Sequence, residues 1–200
     1  MKESQIREIA KKCDLSFDSI APLKDEASGR SYWRVSRGKE SFVLSYLNPD
    51  LGDHGSFISV AEQLKDHDIN VPKIISHHPT VGVTIQNDLG DDDLISLMND
   101  QNREFLINKS IDLLVDIHKV DIEGLVHLSS SDLKDQMNKF KYIFCEKFLD
   151  ISADELVNDL IMNALDNLQE CPKNNCHFDF ERRNLILDDR NEVNVIDFQD

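Results

Sequence analysis

An α+β fold in two lobes is predicted by three observations along the chain. Before residue 91 the apolar residues fall into short strand-like runs interrupted by one amphipathic helix. After it they repeat at helical spacing, and the chain then closes on two short apolar runs around a polar turn. The expected division is a lobe over 1–90, an antiparallel sheet with one helix, and a mainly helical lobe over 91–200. A connector at about 86–92 would join them, and ligands favour the cleft between such lobes.

The elements follow in order. Ile6, Ile9 and Ala10 give a short opening helix over Ser4 to Lys12. The stretches Asp25 to Val35 and Ser41 to Leu47 read as two strands around the turn Arg37-Gly-Lys-Glu40. Phe57, Val60, Ala61 and Leu64 share one face of a helix over about Ser56 to His67. Val71 to Ile75 and Val81 to Gln86 read as further strands. Asp91-Asp-Asp93 is a solvated helix start, where carboxylates meet free N–H groups and the helix dipole. Three helices follow, patterned by Phe105, Ile111, Leu114, Val115 and His118; by Leu133, Met137, Phe140, Phe144 and Phe148; and by Leu156, Leu160, Ile161, Ala164, Leu165 and Leu168. His118 adjoins the first of these faces and is expected to be packed and hydrogen-bonded.

The 200 residues are 40% hydrophobic and 30% charged, a globular composition. No apolar run reaches the length of a membrane span and the first residues lack a signal-peptide core, so a cytoplasmic protein is expected. Cys13, Cys145, Cys171 and Cys176 show no metal-ligand rhythm and read as reduced thiols. His77 and His78, adjacent on a strand, point to opposite faces and cannot chelate together. A formal net charge of −16 argues against a nucleic-acid binder, which needs Lys and Arg against phosphate.

The chemistry concentrates at the end of the chain. His177, Asp179 and Asn184 form an H-x-D-x-x-x-x-N pattern, and Asp197-Phe198 follows. Chance alone would produce such an eight-residue match in roughly one sequence of this composition in fifteen, so its context matters. Leu185 to Leu187 and Val193 to Ile196 read as a β-hairpin, which sets the residue entering the first strand beside the one leaving the second. Asn184 and Asp197 become neighbours. Phosphoryl transfer needs a carboxylate beside the attacking hydroxyl, and oxygens that hold Mg²⁺ on nucleotide phosphates. Asp179 suits the first role; Asn184 and Asp197 suit the second. An anionic nucleotide entering an acidic protein also needs local cations, and Arg30, Arg34, Arg182 and Arg183 are the nearest in sequence. Ala27, Ser28 and Gly29, small residues before a strand, either let backbone N–H groups approach phosphate or form an ordinary loop.

Taken together, these stretches resemble the aminoglycoside phosphotransferase-like kinases, and within them the anomeric sugar kinases of bacterial cell-wall recycling. The resemblance is carried by Ala27 to Arg34, Phe57 to Ala61, Asn70-Val-Pro72, Asn87-Asp-Leu-Gly-Asp91, His177-Phe-Asp179, Arg183-Asn-Leu185 and Ile196 to Asp200. It implies a protein-kinase-like bilobal fold and an ATP- and Mg²⁺-dependent kinase acting on the anomeric hydroxyl of N-acetylmuramate or N-acetylglucosamine. Asp179 would be the catalytic carboxylate, and Asn184 and Asp197 the Mg²⁺ ligands. Ser28, Gly29 and Arg30 would lie at the nucleotide, with backbone groups near Asn87 and Leu89 as the adenine hinge. His177 would brace the catalytic loop. An aminoglycoside acceptor and a non-catalytic nucleotide-binding module are the alternatives.

Three departures accompany the resemblance. Ser45 stands where such kinases usually place a phosphate-binding Lys, and Glu62, its usual partner, sits off the apolar helix face. Phe178 replaces a common Arg, so activity without activation-segment phosphorylation is expected. Kinases of this type continue for roughly a hundred residues beyond the point of Asp200, so the helical lobe is expected to be incomplete.

Overall fold

The computed structural model describes residues 2–23, 29–125, 129–152, 155–169, 171 and 174–198. By packing, the chain divides into two compact units, Met1–Glu123 with Asn175–Asp200, and Gly124–Asn174. The boundary expected at residue 91 followed the change from strands to helices. The packing division differs because the terminal hairpin and the first long helix fold with the sheet.

The larger unit is built on a five-stranded antiparallel sheet of order β1-β2-β3-β5-β4. Its strands are β1 (Ser19–Pro22), β2 (Ser31–Arg37), β3 (Glu40–Tyr46), β4 (Ile74–His78) and β5 (Val83–Asn87). Strand β1, not foreseen from the sequence, is a four-residue edge ending in Pro22, where a missing N–H costs nothing. Strand β4 begins three residues later than expected because Pro72 cannot donate to a ladder. Between β4 and β5 the chain turns at Gly82, with φ +69° and a hypothetical Cβ only 1.9 Å from the Leu47 carbonyl oxygen, so no other residue fits without displacing the backbone.

The two faces of the sheet differ in chemistry. Trp33, Val35, Leu44, Val83 and Ile85 pack with Ile20 against Ile6, Ala10 and Cys13 from helix α1 (Glu3–Lys12) and its C-terminus. Leu44 is fully buried, and Leu44→Ala would cost about 3 kcal/mol by the usual cavity penalty. On the opposite face the alternate residues run in ranks across β2, β3 and β5: Arg34, Val43 and Gln86, then Tyr32, Ser45 and Thr84. Helix α2 (Gly55–Asp66) buries the expected stripe of Phe57, Val60, Ala61 and Leu64, and Glu62 is exposed. Both helices expected before residue 91 are therefore present.

A one-turn helix α3 (Leu94–Leu97) is capped by Asp93, whose Oδ1 accepts the Ser96 N–H at 2.7 Å. Helix α4 (Arg103–Lys119) corrects two expectations. It buries Leu106, Leu113 and Ile117, whereas Phe105, Ile111, Val115 and His118 are exposed. The helix carries two apolar stripes, and spacing alone could not say which one the unit would cover. The short strands β6 (Leu185–Leu187) and β7 (Val193–Val195) form the expected hairpin.

The smaller unit is a helical pair. Helix α5 (Ser130–Lys139) starts from a reciprocal cap between Ser129 and Asp132. It passes into a π-helical segment, Phe140–Phe148, where a plain α-helix was expected. There Phe140, Phe144 and Phe148 stack at centroid distances of 5.3 and 5.7 Å. Helix α6 (Glu155–Gln169) follows, joined to this segment by a Lys141–Asn158 hydrogen bond of 2.9 Å.

Candidate active site

The hairpin β6–β7 does what its pattern predicts. Leu185 pairs with Val195, so Asn184 falls opposite Ile196, whose N–H donates to the Asn184 carbonyl at 3.0 Å. Asp197 is the next residue. The Asn184 Nδ2 donates to the Asp179 carbonyl at 3.0 Å and to its carboxylate at 3.2 Å. Because that amide spends its N–H groups on Asp179, its oxygen is the atom left to meet a cation. His177 makes a 2.8 Å contact from Nε2 to the Ile196 carbonyl, tying the loop that carries Asp179 to the strand that delivers Asp197.

Backbone strain marks the same loop. Phe178 and Asp197 hold φ of +56° and +62°, a left-handed conformation that costs non-glycine residues of order 1 kcal/mol each. Asp197 is kept there between the hairpin and Phe198, which is buried and stacks on Phe57 of α2. Sequence spacing had given Phe57 a place in the helix core and no part in the site.

Asp179, Asn184 and Asp197 line one cavity of about 490 Å³ together with Leu23, Tyr32, Arg34, Val43, Gln86 and the segment Asn87 to Asp91. At Asn87 the side chain and the backbone N–H are both bound to the Lys73 backbone, the latter at 3.0 Å. No described hydrogen bond occupies the Leu89 backbone, and Leu89 lines the cavity. Gly29, with φ +75°, precedes β2, and Ser28 lies outside the described residues.

The arginines divide by partner. Arg34 is held bidentately by Asp88 at 2.6 and 3.0 Å and also meets both Asp91 oxygens at 2.7 Å. Arg183 is paired with Glu181, and Arg182 is exposed and absent from the cavity wall. Arg30 keeps Nε and Nη1 buried with no partner among the described residues. Of the four cations expected to neutralise the cleft, two are committed to carboxylates. Burial would push the Asp88 carboxyl up, but hydrogen bonds from Arg34, Ser41 and the Gly90 N–H outweigh it and hold the group below the usual carboxylate range.

No group of three or more His, Cys, Asp or Glu among the described residues makes a metal centre by itself. The Asn184 and Asp197 oxygens do fit Mg²⁺, which takes one or two protein oxygens and completes its shell with phosphates and water. Ser45 is buried on the inner sheet face with its hydroxyl unpartnered, and no Lys–Glu pair joins β3 to α2. No helix among the described residues is long and apolar enough to cross a membrane.

Known proteins are similar to this chain in sequence and in fold. The chain is 26% identical over 190 residues to an N-acetylmuramate/N-acetylglucosamine kinase of Pseudomonas aeruginosa, covering 90% of this chain and 55% of that protein. It is 28% identical to the protein of the same name from Neisseria meningitidis serogroup B, covering 94% and 57%. The chain thus spans little more than half the length of these relatives. In three dimensions it superposes on choline kinase LicA from Streptococcus pneumoniae with a TM-score of 0.67 at 16% identity, covering 98% of this chain and 68% of that one. An ADP-bound aminoglycoside phosphotransferase matches with a TM-score of 0.65 at 16% identity, covering 100% and 71%. These likenesses establish the kinase-like fold. Residues 19–200 match the phosphotransferase enzyme family, and the chain belongs to it.

Proposed function

We propose that this chain is the nucleotide-binding and catalytic part of an ATP-dependent kinase that phosphorylates a hydroxyl of a small molecule, the anomeric hydroxyl of N-acetylmuramate or N-acetylglucosamine. The observation that carries the reading is the hydrogen bonding of Asn184 to Asp179, with both residues lining one cavity together with Asp197 and Leu89. The acceptor class rests on the names of the relatives, which are 24 to 28% identical.

The adenine would lie against Val43 and Leu23, hydrogen-bonded at Leu89, with the phosphates directed toward Asp197. Residues 1–90 would supply most of the nucleotide contacts, and residues from 91 onward the catalytic groups. Mg²⁺ bound by Asn184 and Asp197 would neutralise charge on the phosphates. Asp179 orients the acceptor hydroxyl and takes its proton as the oxygen attacks the γ-phosphorus. The new O–P bond forms while the bond to the β-phosphate oxygen breaks, and ADP leaves.

A coupled ADP-release assay with N-acetylmuramate, N-acetylglucosamine and an aminoglycoside panel tests this. Asp179→Asn should lower kcat by roughly 10² to 10⁴-fold, the usual range for a general base, with ATP affinity little changed. Turnover that survives Asp179→Asn would refute the assignment. Nucleotide binding without turnover on any acceptor, in the chain and in a full-length relative, would favour a binding module.

A further inference from the structure

We propose that Arg183 is a catalytic residue that binds the transferred γ-phosphoryl group through the Nη1–Nη2 edge of its guanidinium, with Glu181 holding the side chain until the nucleotide arrives. The proposal rests on the nucleotide reading above and goes beyond it by naming the cation that meets the reacting group.

The charge balance of the cavity sets the need. Six carboxylates line it, those of Asp88, Asp91, Asp93, Asp179, Glu181 and Asp197, against two guanidiniums, those of Arg34 and Arg183. The transferred phosphoryl group spreads its negative charge over three oxygens, and it has to react beside Asp179 and Asp197, which are anionic themselves. Mg²⁺ at Asn184 and Asp197 would meet part of that charge. A cation of the chain has to meet more of it.

The two arginines differ in what they have left to give. Arg34 spends Nε and Nη2 on Asp88 and Nη1 on Asp91, and Nη2 also reaches the Gly90 carbonyl. Arg183 approaches Glu181 with Nε at 2.6 Å and Nη2 at 2.5 Å, both on the one oxygen Oε1. No described hydrogen bond uses its Nη1. The side chain lines the cavity and is 59% exposed, so a ligand can reach it.

The backbone sets Arg183 beside the reaction centre. It lies in the 3₁₀ turn Arg182–Asn184. That turn closes on Asp179, whose carbonyl accepts the Glu181 N–H at 2.8 Å and the Asn184 Nδ2 at 3.0 Å. The Asn184 N–H donates to the Glu181 carbonyl at 2.9 Å, so Arg183 is fixed between the two. Glu181 first, then Asp179 and Asp93, raise the Arg183 pKa and keep the group a cation. An exposed ion pair two residues apart is weak. A phosphoryl group carries more charge, and its oxygens match a guanidinium fork in pairs, so it takes the place of Glu181.

Equilibrium binding of ADP and of the non-hydrolysable β,γ-imido analogue of ATP to the full chain, with Mg²⁺ present, tests the proposal. The two ligands differ by the γ-phosphoryl group. Arg183→Met should weaken the analogue by roughly tenfold, the usual size of a hydrogen bond to a charged group. ADP affinity should not change, which also shows that the variant is folded. Arg183→Lys should recover part of the loss. Glu181→Gln, which releases the guanidinium, should tighten the analogue by about two- to threefold and leave ADP unaffected. Arg182→Met removes the same charge away from the cavity wall and should leave both affinities as they were. Equal losses for ADP and the analogue, an unchanged analogue affinity, or the same loss in Arg182→Met would each overturn the proposal. If the unaltered chain binds neither ligand, the nucleotide reading itself fails and the proposal with it, a result distinct from any effect of Arg183.

Discussion

Phe57 on α2 stacks on Phe198 with ring centroids 5.4 Å apart and planes 24° from parallel, and the residue just before Phe198 is the strained Asp197. A helix and a metal-ligand candidate are therefore joined through two aromatic rings. Ser45 on β3 is buried and Glu62 on α2 is exposed, so no ion pair links the strand to this helix at those positions. Phe57→Leu keeps an apolar side chain but removes the stack, and should cost about 1 kcal/mol of stability. The larger effect should fall on the backbone of Asp197, which relaxes from its left-handed conformation when Phe198 is no longer held. The expected outcome is a severalfold higher Mg²⁺ concentration for half-maximal activity, with metal-free ADP affinity unchanged. A loss of melting temperature with an unchanged Mg²⁺ requirement would limit Phe57 to packing.

Arg34 and Asp88 form the second link, between the sheet and the segment beside the cavity. Asp88 is 9% exposed and Arg34 27%. Removing the cation leaves a nearly buried carboxylate with only Ser41 and the Gly90 N–H for company. Arg34→Met should therefore destabilise the chain by about 2 to 3 kcal/mol, toward the low end for breaking a buried pair because Arg34 is partly solvated. Asp88→Asn with Arg34→Met should recover much of this. The carboxyl is held below its ordinary range, so its contribution is present above the unfolded pKa and is lost only as pH falls through the folded one. Urea unfolding at neutral pH would measure the difference.

Much of this was legible in the sequence because the signals are local. The H-x-D-x-x-x-x-N pattern and the hairpin follow from spacing and strand geometry, which set Asn184 opposite Asp197; in the structure Asn184 pairs with Ile196, one residue earlier. The α2 stripe followed from period. What escaped depends on which surfaces meet. Arg34 looked like a phosphate ligand until Asp88 and Asp91, more than fifty residues away in sequence, closed on it. In α4 two apolar stripes compete, and only packing shows that Leu106, Leu113 and Ile117 lie inside and Ile111 and Val115 outside. Phe57 is a helix-core residue by pattern and reaches the site only through a ring 141 positions later.

His54 supplies a pH dependence that can be separated from that of the carboxylates. It is 1% exposed and its pKa is lowered to about 4, by burial first and then by the Arg30 charge. His77 acts in the same direction as Arg30, and the Gly82 backbone and Asp53 oppose them. Folding thus favours the neutral ring. The unfolded chain takes up a proton near pH 6.5 and the folded chain only near 4, so stability is full above about 6.5 and is lost as pH falls. A shift of this size corresponds to about 3 kcal/mol, complete below pH 4. The Asp88 contribution disappears only at lower pH, below the ordinary carboxylate range. Replacing His54 with Asn, which cannot titrate, should flatten the stability profile between pH 6.5 and 4 and leave the steeper acid loss in place. Unfolding curves taken across that interval decide the matter: an equal slope in the variant and the parent chain would assign the loss to other groups.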